Sequence, residues 1–133
     1  MENIHDLTDE ELQQKARLFI KAYQGCDHVI ERLYAAFSLF DMEMKIVDRP
    51  CQMPRESGVY VFFDDEILYV GQSIILPNRC TGRPERNGGK IAFATLPDKI
   101  LKIRELQLIA VLHPKYNSET KGLCVSFGYT GAI

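Results

Sequence analysis

The fold is decided by residues 58–71, which read GVYVFFDDEILYVG. Two runs of β-branched and aromatic residues flank the acidic segment 64–66, a pattern typical of a β-hairpin. A loop with an even number of residues would place Tyr60 directly across from Tyr69, with both phenols on one face of the sheet. A loop with an odd number would send the two phenols to opposite faces. The length of this loop therefore determines whether the phenols can act together.

The residues downstream of the hairpin predict one further strand and one long helix. Residues 91–95 alternate small and large side chains, as a strand would. The strongest helical pattern runs from about Asp98 to His113 and ends where Pro114 prevents its continuation. Residues 123–127 could add another strand near the end of the chain. The pattern thus combines a hairpin-based sheet with helices.

Residues 1–50 predict two helices and the start of a linker. Apolar residues recur at helical spacing up to about residue 40, once before Gly25 and once after it. Two proline-containing pairs then break any helix within the connecting segment 41–57. The helical pair could cover one face of the sheet or join two copies of the chain in a homodimer. We favour packing within one chain.

Length and composition restrict the class of protein. The chain has 133 residues, of which 46% are hydrophobic and 26% charged, as expected for one ordinary globular domain. The net charge of -2 excludes a protein that coats nucleic acid by bulk charge, although a local basic patch could still bind it. The longest apolar runs are far too short to span a membrane, and the acidic opening residues are unlike a signal peptide.

The cysteines and histidines do not form a zinc-binding pattern. Cys26, Cys51, Cys80 and Cys124 are widely spread, with no closely spaced pair, and the three histidines do not supply one either. Reduced cysteines in a cytoplasmic protein are the simpler interpretation. We therefore expect a cytoplasmic protein without structural zinc.

Glu105 is the most informative single residue of the predicted long helix. The apolar side chains of Leu101, Leu108, Ile109 and Leu112 all lie within about 60° of it on a helical wheel. A carboxylate inside an apolar stripe loses hydration, so it must be hydrogen-bonded, neutralised, paired with a cation or bound to a metal. Taken alone, this position favours a buried ion pair with an arginine over a metal ligand.

Several residues that are uninformative alone indicate a chemical function when they are considered together. Tyr60 and Tyr69 taken alone would be packing residues of a hairpin, and the basic residues between 79 and 90 would be a solvated surface. Together, however, two phenols on one face, a guanidinium at Arg79 and the carboxylate of Glu105 supply a proton acceptor, a phosphate ligand and a metal ligand. These are the groups needed for metal-assisted hydrolysis of a phosphodiester. We expect all four side chains to share one face of the sheet.

The motifs also resemble a known family. GVY at 58–60 followed by YVG at 69–71 resembles the paired signature of the GIY-YIG nuclease superfamily. GQSIILPNR at 71–79 is similar to the stretch with the family's arginine, RELQLI at 104–109 to its glutamate helix, and HPKYN at 113–117 to its terminal asparagine motif. The resemblance covers residues 58–117, with four motifs in the family's order.

The resemblance implies an α+β fold with a small three-stranded antiparallel sheet flanked by helices, preceded here by the N-terminal helical pair. It divides the chain into a helical extension at 1–50 and a GIY-YIG-like nuclease domain at 51–133. It also implies a divalent-metal-dependent DNA endonuclease that uses one ion, Mg²⁺ or Mn²⁺. A single carboxylate suits Mg²⁺, which keeps several waters and takes further ligands from substrate phosphate.

The resemblance further assigns roles to five side chains. Tyr60 would be the general base or orient the attacking water, with support from Tyr69. A phenol is a poor base at its usual pKa near 10, so a nearby cation would have to lower that pKa. Arg79 would bind the scissile phosphate, Glu105 would hold the metal ion, and Asn117 would help to fix the geometry.

Two departures leave an alternative open. Many family members have a lysine at the position of Gln72 and a histidine or tyrosine at the position of Arg83. The alternative is a non-catalytic module of the same fold that binds nucleic acid or a protein, although we favour the enzyme. The residues expected to contact DNA phosphates are Arg79, Arg83, Arg86, Lys90 and Lys102.

Overall fold

The structure, a computed structural model, describes residues 9–23, 28–83, 86 and 89–117. Its helices and strands occur in the following order: α1 (Asp9–Tyr23), α2 (Val29–Leu39), β1 (Lys45–Val47), β2 (Gly58–Phe63), β3 (Ile67–Ser73), α3 (Leu76–Cys80), β4 (Lys90–Thr95) and α4 (Leu101–Leu112). Short 3-10 turns precede β2 and α4. The predicted strand 123–127 lies outside the described residues. None of the described helices is long and apolar enough to cross a membrane.

The four strands form one antiparallel sheet in the order β1-β4-β2-β3. The α+β class and the antiparallel sheet are therefore confirmed, whereas the number of three strands is wrong for the described residues. The additional strand is β1, which lies in the segment predicted as a linker and within the predicted helical extension 1–50. Three residues are too few to show an alternating pattern, so β1 is defined only by its pairing with β4.

The hairpin of β2 and β3 has an odd loop and a β-bulge that compensates for it. Phe63 pairs with Ile67 across the three-residue loop, but Phe62 pairs with Tyr69, so that Leu68 is the extra residue of β3. Tyr60 consequently pairs with Gly71 instead of Tyr69. An odd loop alone would send the phenols to opposite faces of the sheet. The extra residue of the bulge reverses the alternation once more, so both phenols lie on one face without being directly opposed.

One face of the sheet packs against the long helices. Phe19 of α1 and Phe37 of α2 are buried with Leu108 of α4 and Val61 of β2 in a single apolar cluster. The helical pair therefore packs within its own chain, as the sequence interpretation favoured. A homodimer through these helices stays a prediction.

The opposite face packs against the short helix α3. Phe62, Ile91 and Phe93 from the strands are buried there with Leu76 and Cys80 of α3. Helix α3 has only five residues, and the local turn before it is made by Ser73, whose hydroxyl bonds the main chain of Ile75. This is the face on which the two tyrosines lie.

Candidate active site

The phenol of Tyr60 lies over Gly71 on the neighbouring strand. The two residues are paired across β2 and β3, and a Cβ on residue 71 would stand 2.4 Å from the ring and from the hydroxyl of Tyr60. Tyr69 is a diagonal neighbour on the same face, with its ring centroid 6.2 Å from that of Tyr60. The prediction that both phenols share a face is confirmed.

Tyr60 is fully buried, and its hydroxyl has no hydrogen-bond partner within the described part of the chain. Burial raises the pKa of Tyr60 well above its usual 10.0, with further increases from Cys80 and Tyr69, and the charges of Arg83 and Arg79 offset only part of this effect. The two arginines therefore act in the expected direction, but burial outweighs them and the pKa of Tyr60 stays raised. A buried phenol with a raised pKa is poorly suited to accept a proton from water.

Tyr69 has a different environment, because its side chain is only half-buried. The guanidinium carbon of Arg83 lies 5.3 Å from the centre of the Tyr69 ring, which is within cation–π distance. Arg83 thus stands directly against a phenol. This pair is the polar, accessible part of the tyrosine face.

Glu105 projects from α4 toward β3 and is partly shielded. Its side chain is 13% exposed, and its Oε1 accepts hydrogen bonds from Gln72 Nε2 at 3.2 Å and from Lys102 Nζ at 3.4 Å. The arginine partner that the sequence favoured is not present among the described residues. Arg104, the next residue toward the helix start, is buried but donates to Gln107. Glu105 is instead held by an amide and a lysine.

Glu105 reaches the sheet from the face opposite to the phenols. Gln72, its partner, pairs with Val59, whose side chain belongs to the apolar cluster on the α4 face. Tyr60 follows Val59 and Gly71 precedes Gln72, so these two residues occupy the alternate positions, whose side-chain directions point to the other face. The prediction that all four side chains share one face therefore holds for the phenols but not for Glu105.

A shallow groove of about 500 Å³ lies at the end of β3, between this strand, α3 and the start of α4. Arg79 on α3 lines the groove, is exposed to solvent and forms no ion pair with any other described residue. Gln72 lines the same groove while it contacts Glu105. The residues that line the groove are Gln72, Ser73, Ile74, Ile75, Asn78, Arg79 and Leu101. The groove thus contains the exposed Arg79 guanidinium and Gln72, whose amide also contacts Glu105.

The other two basic residues predicted to bind DNA, Arg86 and Lys90, lie toward the opposite end of the sheet. Lys90 pairs with Phe63 at the hairpin end of β2 and stands 3.8 Å from a carboxylate oxygen of Asp48. The Arg86 guanidinium donates to the main-chain carbonyls of Asp48 and Gly89 at 3.1 and 3.0 Å. Arg86 therefore holds the segment before β4 in position, a structural role that the sequence analysis did not predict.

Asn117 is buried away from the groove and binds the edge strand. Its side chain accepts a hydrogen bond from the amide of Val70 and donates one to the carbonyl of Val70, both at 2.9 Å. Lys115 and Tyr116 add main-chain bonds to Ile67 and Leu68. Asn117 thus holds the strand that contains Tyr69 and does not lie in the groove itself, so its role in the geometry of the site stays a prediction.

The donor set at Glu105 fits one hard cation. Among the described residues, no three His, Cys, Asp or Glu side chains come together as a metal cluster. Oε1 of Glu105 has two partners, whereas Oε2 has no hydrogen bond within the described ranges. A single carboxylate oxygen of this kind is compatible with Mg²⁺ or Mn²⁺, which would keep most of their water ligands.

Gln72, Lys102 and Gly71 are site residues whose contacts the sequence reasoning missed. The alternation along β3 would have directed Gln72 toward the α4 face, once the register was known. The spacing of three residues between Lys102 and Glu105 is a sequence signal for their contact. The sequence gives no comparable signal for the overlap of Tyr60 with Gly71, because it depends on the bulge.

Comparisons of this chain with models of known protein families, with curated proteins and with solved structures found no match. The function must therefore be argued from the residues and their arrangement.

Proposed function

We propose that the protein is a divalent-metal-dependent DNA endonuclease of the GIY-YIG type. The observation that supports this most is the groove at the end of β3, where the exposed Arg79 lies beside Gln72, which in turn holds Glu105. Gln72 thus links the groove that contains the proposed phosphate ligand to the carboxylate proposed to hold the metal.

Each group suits a step of phosphodiester hydrolysis. Arg79 has a planar guanidinium that can bind two phosphate oxygens, and no internal carboxylate competes for it among the described residues. Glu105 would hold one Mg²⁺ or Mn²⁺, which when bound would polarise the phosphate and neutralise charge on the leaving oxygen. The Gln72 amide keeps the carboxylate oriented toward β3.

The role of proton acceptor fits Tyr69 better than Tyr60. Tyr60 has no exposed surface and a raised pKa, whereas Tyr69 is half-buried and has the Arg83 guanidinium against its ring. A proton acceptor must be reachable by the attacking water, and of the two phenols only Tyr69 has exposed surface. Tyr60 would then support the site by packing against Tyr69, and its assignment as the base stays a prediction.

A second candidate function is a nucleic-acid-binding module of the same fold that does not cut. Two observations favour it: the burial of Tyr60, and the contact of Lys102 with the carboxylate expected to bind metal. Binding without hydrolysis would still use Arg79 and Arg83 on phosphates, since phosphate contacts require only accessible positive charge.

A nicking assay separates the two functions. Wild-type protein is incubated with supercoiled plasmid, branched and single-stranded DNA in the presence of Mg²⁺, Mn²⁺ or EDTA. The endonuclease should cut at least one substrate with metal only, and Glu105→Gln should lose cutting while it still folds and binds DNA. Glu43→Gln, which removes an exposed carboxylate elsewhere, serves as the matched control and should cut normally. Binding to these substrates without any cutting by the wild type would favour the module.

A further inference from the structure

Lys102 and Glu105 form a contact that joins two predicted binding functions. Lys102 is among the residues expected to bind DNA phosphate, and Glu105 is the expected metal ligand. In the structure they bind each other, with 3.4 Å between Lys102 Nζ and Glu105 Oε1. The two residues are one turn apart on α4, and Leu101, the neighbour of Lys102 in the chain, lines the groove.

The two partners differ in their freedom to move. The Lys102 side chain is 70% exposed, whereas that of Glu105 is 13% exposed and is also held by Gln72. Glu105 is therefore the fixed partner, and Lys102, on its flexible four-carbon stem, can leave it at little cost.

We propose that a divalent cation and the Lys102 ammonium compete for Glu105, so that cation binding releases Lys102 to contact a DNA phosphate. This inference rests on the proposed metal and DNA binding. A doubly charged ion on the carboxylate would stand within a few ångströms of the ammonium, and two cations at that separation repel each other. Because Glu105 is shielded and held by Gln72, the exposed ammonium is the group that moves, and it swings into solvent, where a DNA phosphate can contact it.

The coupling is reciprocal. If metal releases Lys102 for DNA, then DNA that binds Lys102 leaves Glu105 more available to metal. The strength of a partly exposed ion pair limits the effect to about fivefold in either affinity.

The first test measures metal affinity without DNA. Mn²⁺ binding to the full chain is followed by electron paramagnetic resonance for the wild type, Lys102→Met, Lys99→Met and Glu105→Gln. Lys102→Met should bind Mn²⁺ up to about fivefold more tightly. Lys99→Met removes a nearby exposed charge that does not contact Glu105, so screening by salt should keep its change smaller. Equal affinities of the two lysine variants would overturn the proposal.

The Glu105→Gln variant separates this outcome from failure of the proposed function. Loss of Mn²⁺ binding in that variant supports Glu105 as the ligand for which Lys102 competes. Undiminished Mn²⁺ binding would show that the metal is held elsewhere, which contradicts both the metal assignment and the competition.

The second test measures DNA binding in EDTA over a range of salt concentrations. Glu105→Gln frees Lys102, so the slope of log affinity against log salt should become steeper by about 0.9, the value for one added phosphate contact. In the Lys102→Met background the same change at residue 105 should leave the slope unaltered. An equal effect in both backgrounds would reflect general charge alone and would overturn the release of Lys102.

Discussion

Tyr60 and Gly71 face each other across β2 and β3, and the Tyr60 ring occupies the space that a side chain on residue 71 would need. This pairing exists because the Leu68 bulge moves Tyr69 one pleat away from Tyr60. The phenol that the sequence assigns to catalysis is thereby covered by packing.

Gly71→Ala should strongly destabilise the fold. The new Cβ would stand 2.4 Å from the Tyr60 ring, which is enclosed by core residues and cannot move aside freely. We expect a loss of about 1–3 kcal/mol in the free energy of unfolding, measured by urea denaturation. Gly82→Ala is the control, since a Cβ there meets no atom within 4 Å and only its φ of +71° is unfavourable. A smaller loss for Gly71→Ala than for the control would contradict the close approach.

Tyr60→Phe should leave the stability unchanged or raise it by about 1 kcal/mol. The substitution removes a buried hydroxyl that has no partner within the described residues, and such a group costs free energy in the folded state. Urea denaturation measures the stability, and the nicking assay measures activity on the same sample. A loss of stability greater than about 1 kcal/mol would indicate a hydrogen bond to this hydroxyl. Normal nicking would exclude Tyr60 as the base.

Arg83 and Arg86 should contribute differently to DNA binding. Arg86→Met should lower the stability, because its guanidinium bonds two main-chain carbonyls, but should leave the salt dependence of DNA affinity nearly unchanged. Arg83→Met should instead flatten the salt slope by about 0.9. Fluorescence anisotropy over a salt series measures both slopes. The reverse pattern would place the phosphate contacts on the Arg86 side of the sheet.

The buried Cys80 should make the fold sensitive to alkaline pH. Burial raises the pKa of Cys80 from 9.0 to about 12, so the folded state holds a proton that the unfolded chain releases above pH 9. The stability that this proton provides is complete below pH 9 and is lost as the pH rises toward 12, by at most about 1.4 kcal/mol per pH unit.

Urea denaturation at pH 8, 9 and 10 measures this loss. Cys80→Ala should show a shallower decline with pH than the wild type, whatever its stability at pH 8. Cys51→Ala removes an exposed thiol and should decline as the wild type does. Identical declines for all three proteins would show that the Cys80 thiol titrates normally.

The hairpin of β2 and β3, the strand β4 and the long helix α4 could all be predicted from the sequence, because each has a strong local pattern. Helix α4 begins at Leu101 after a 3-10 turn over Asp98–Ile100, close to the expected start. Both glycines of the hairpin motif are required by close packing, since a Cβ on Gly58 would stand 2.2 Å from the carbonyl oxygen of Ala94. This contact between β2 and β4 is not visible in the local sequence.

The arrangement of the candidate site could be predicted only in part. The two phenols share a face because the three-residue loop and the one-residue bulge each reverse the alternation of side chains, so that their effects cancel. The stripe around Glu105 correctly indicated a shielded carboxylate, but its partners come from a strand and from the previous helical turn. Such contacts depend on the pairing register between strands and on how the helices pack on them, and the local periodicity of the sequence does not reveal either.

The bonds of Asn117 to Val70 have a consequence for association between copies of the chain. β3 is an edge strand, and an open edge invites a strand of another molecule to extend the sheet. Here the outward groups of Ile67, Leu68 and Val70 are already occupied by residues 115–117. These hydrogen bonds leave fewer main-chain groups of β3 unpaired, so intermolecular β-pairing and aggregation through this edge are disfavoured.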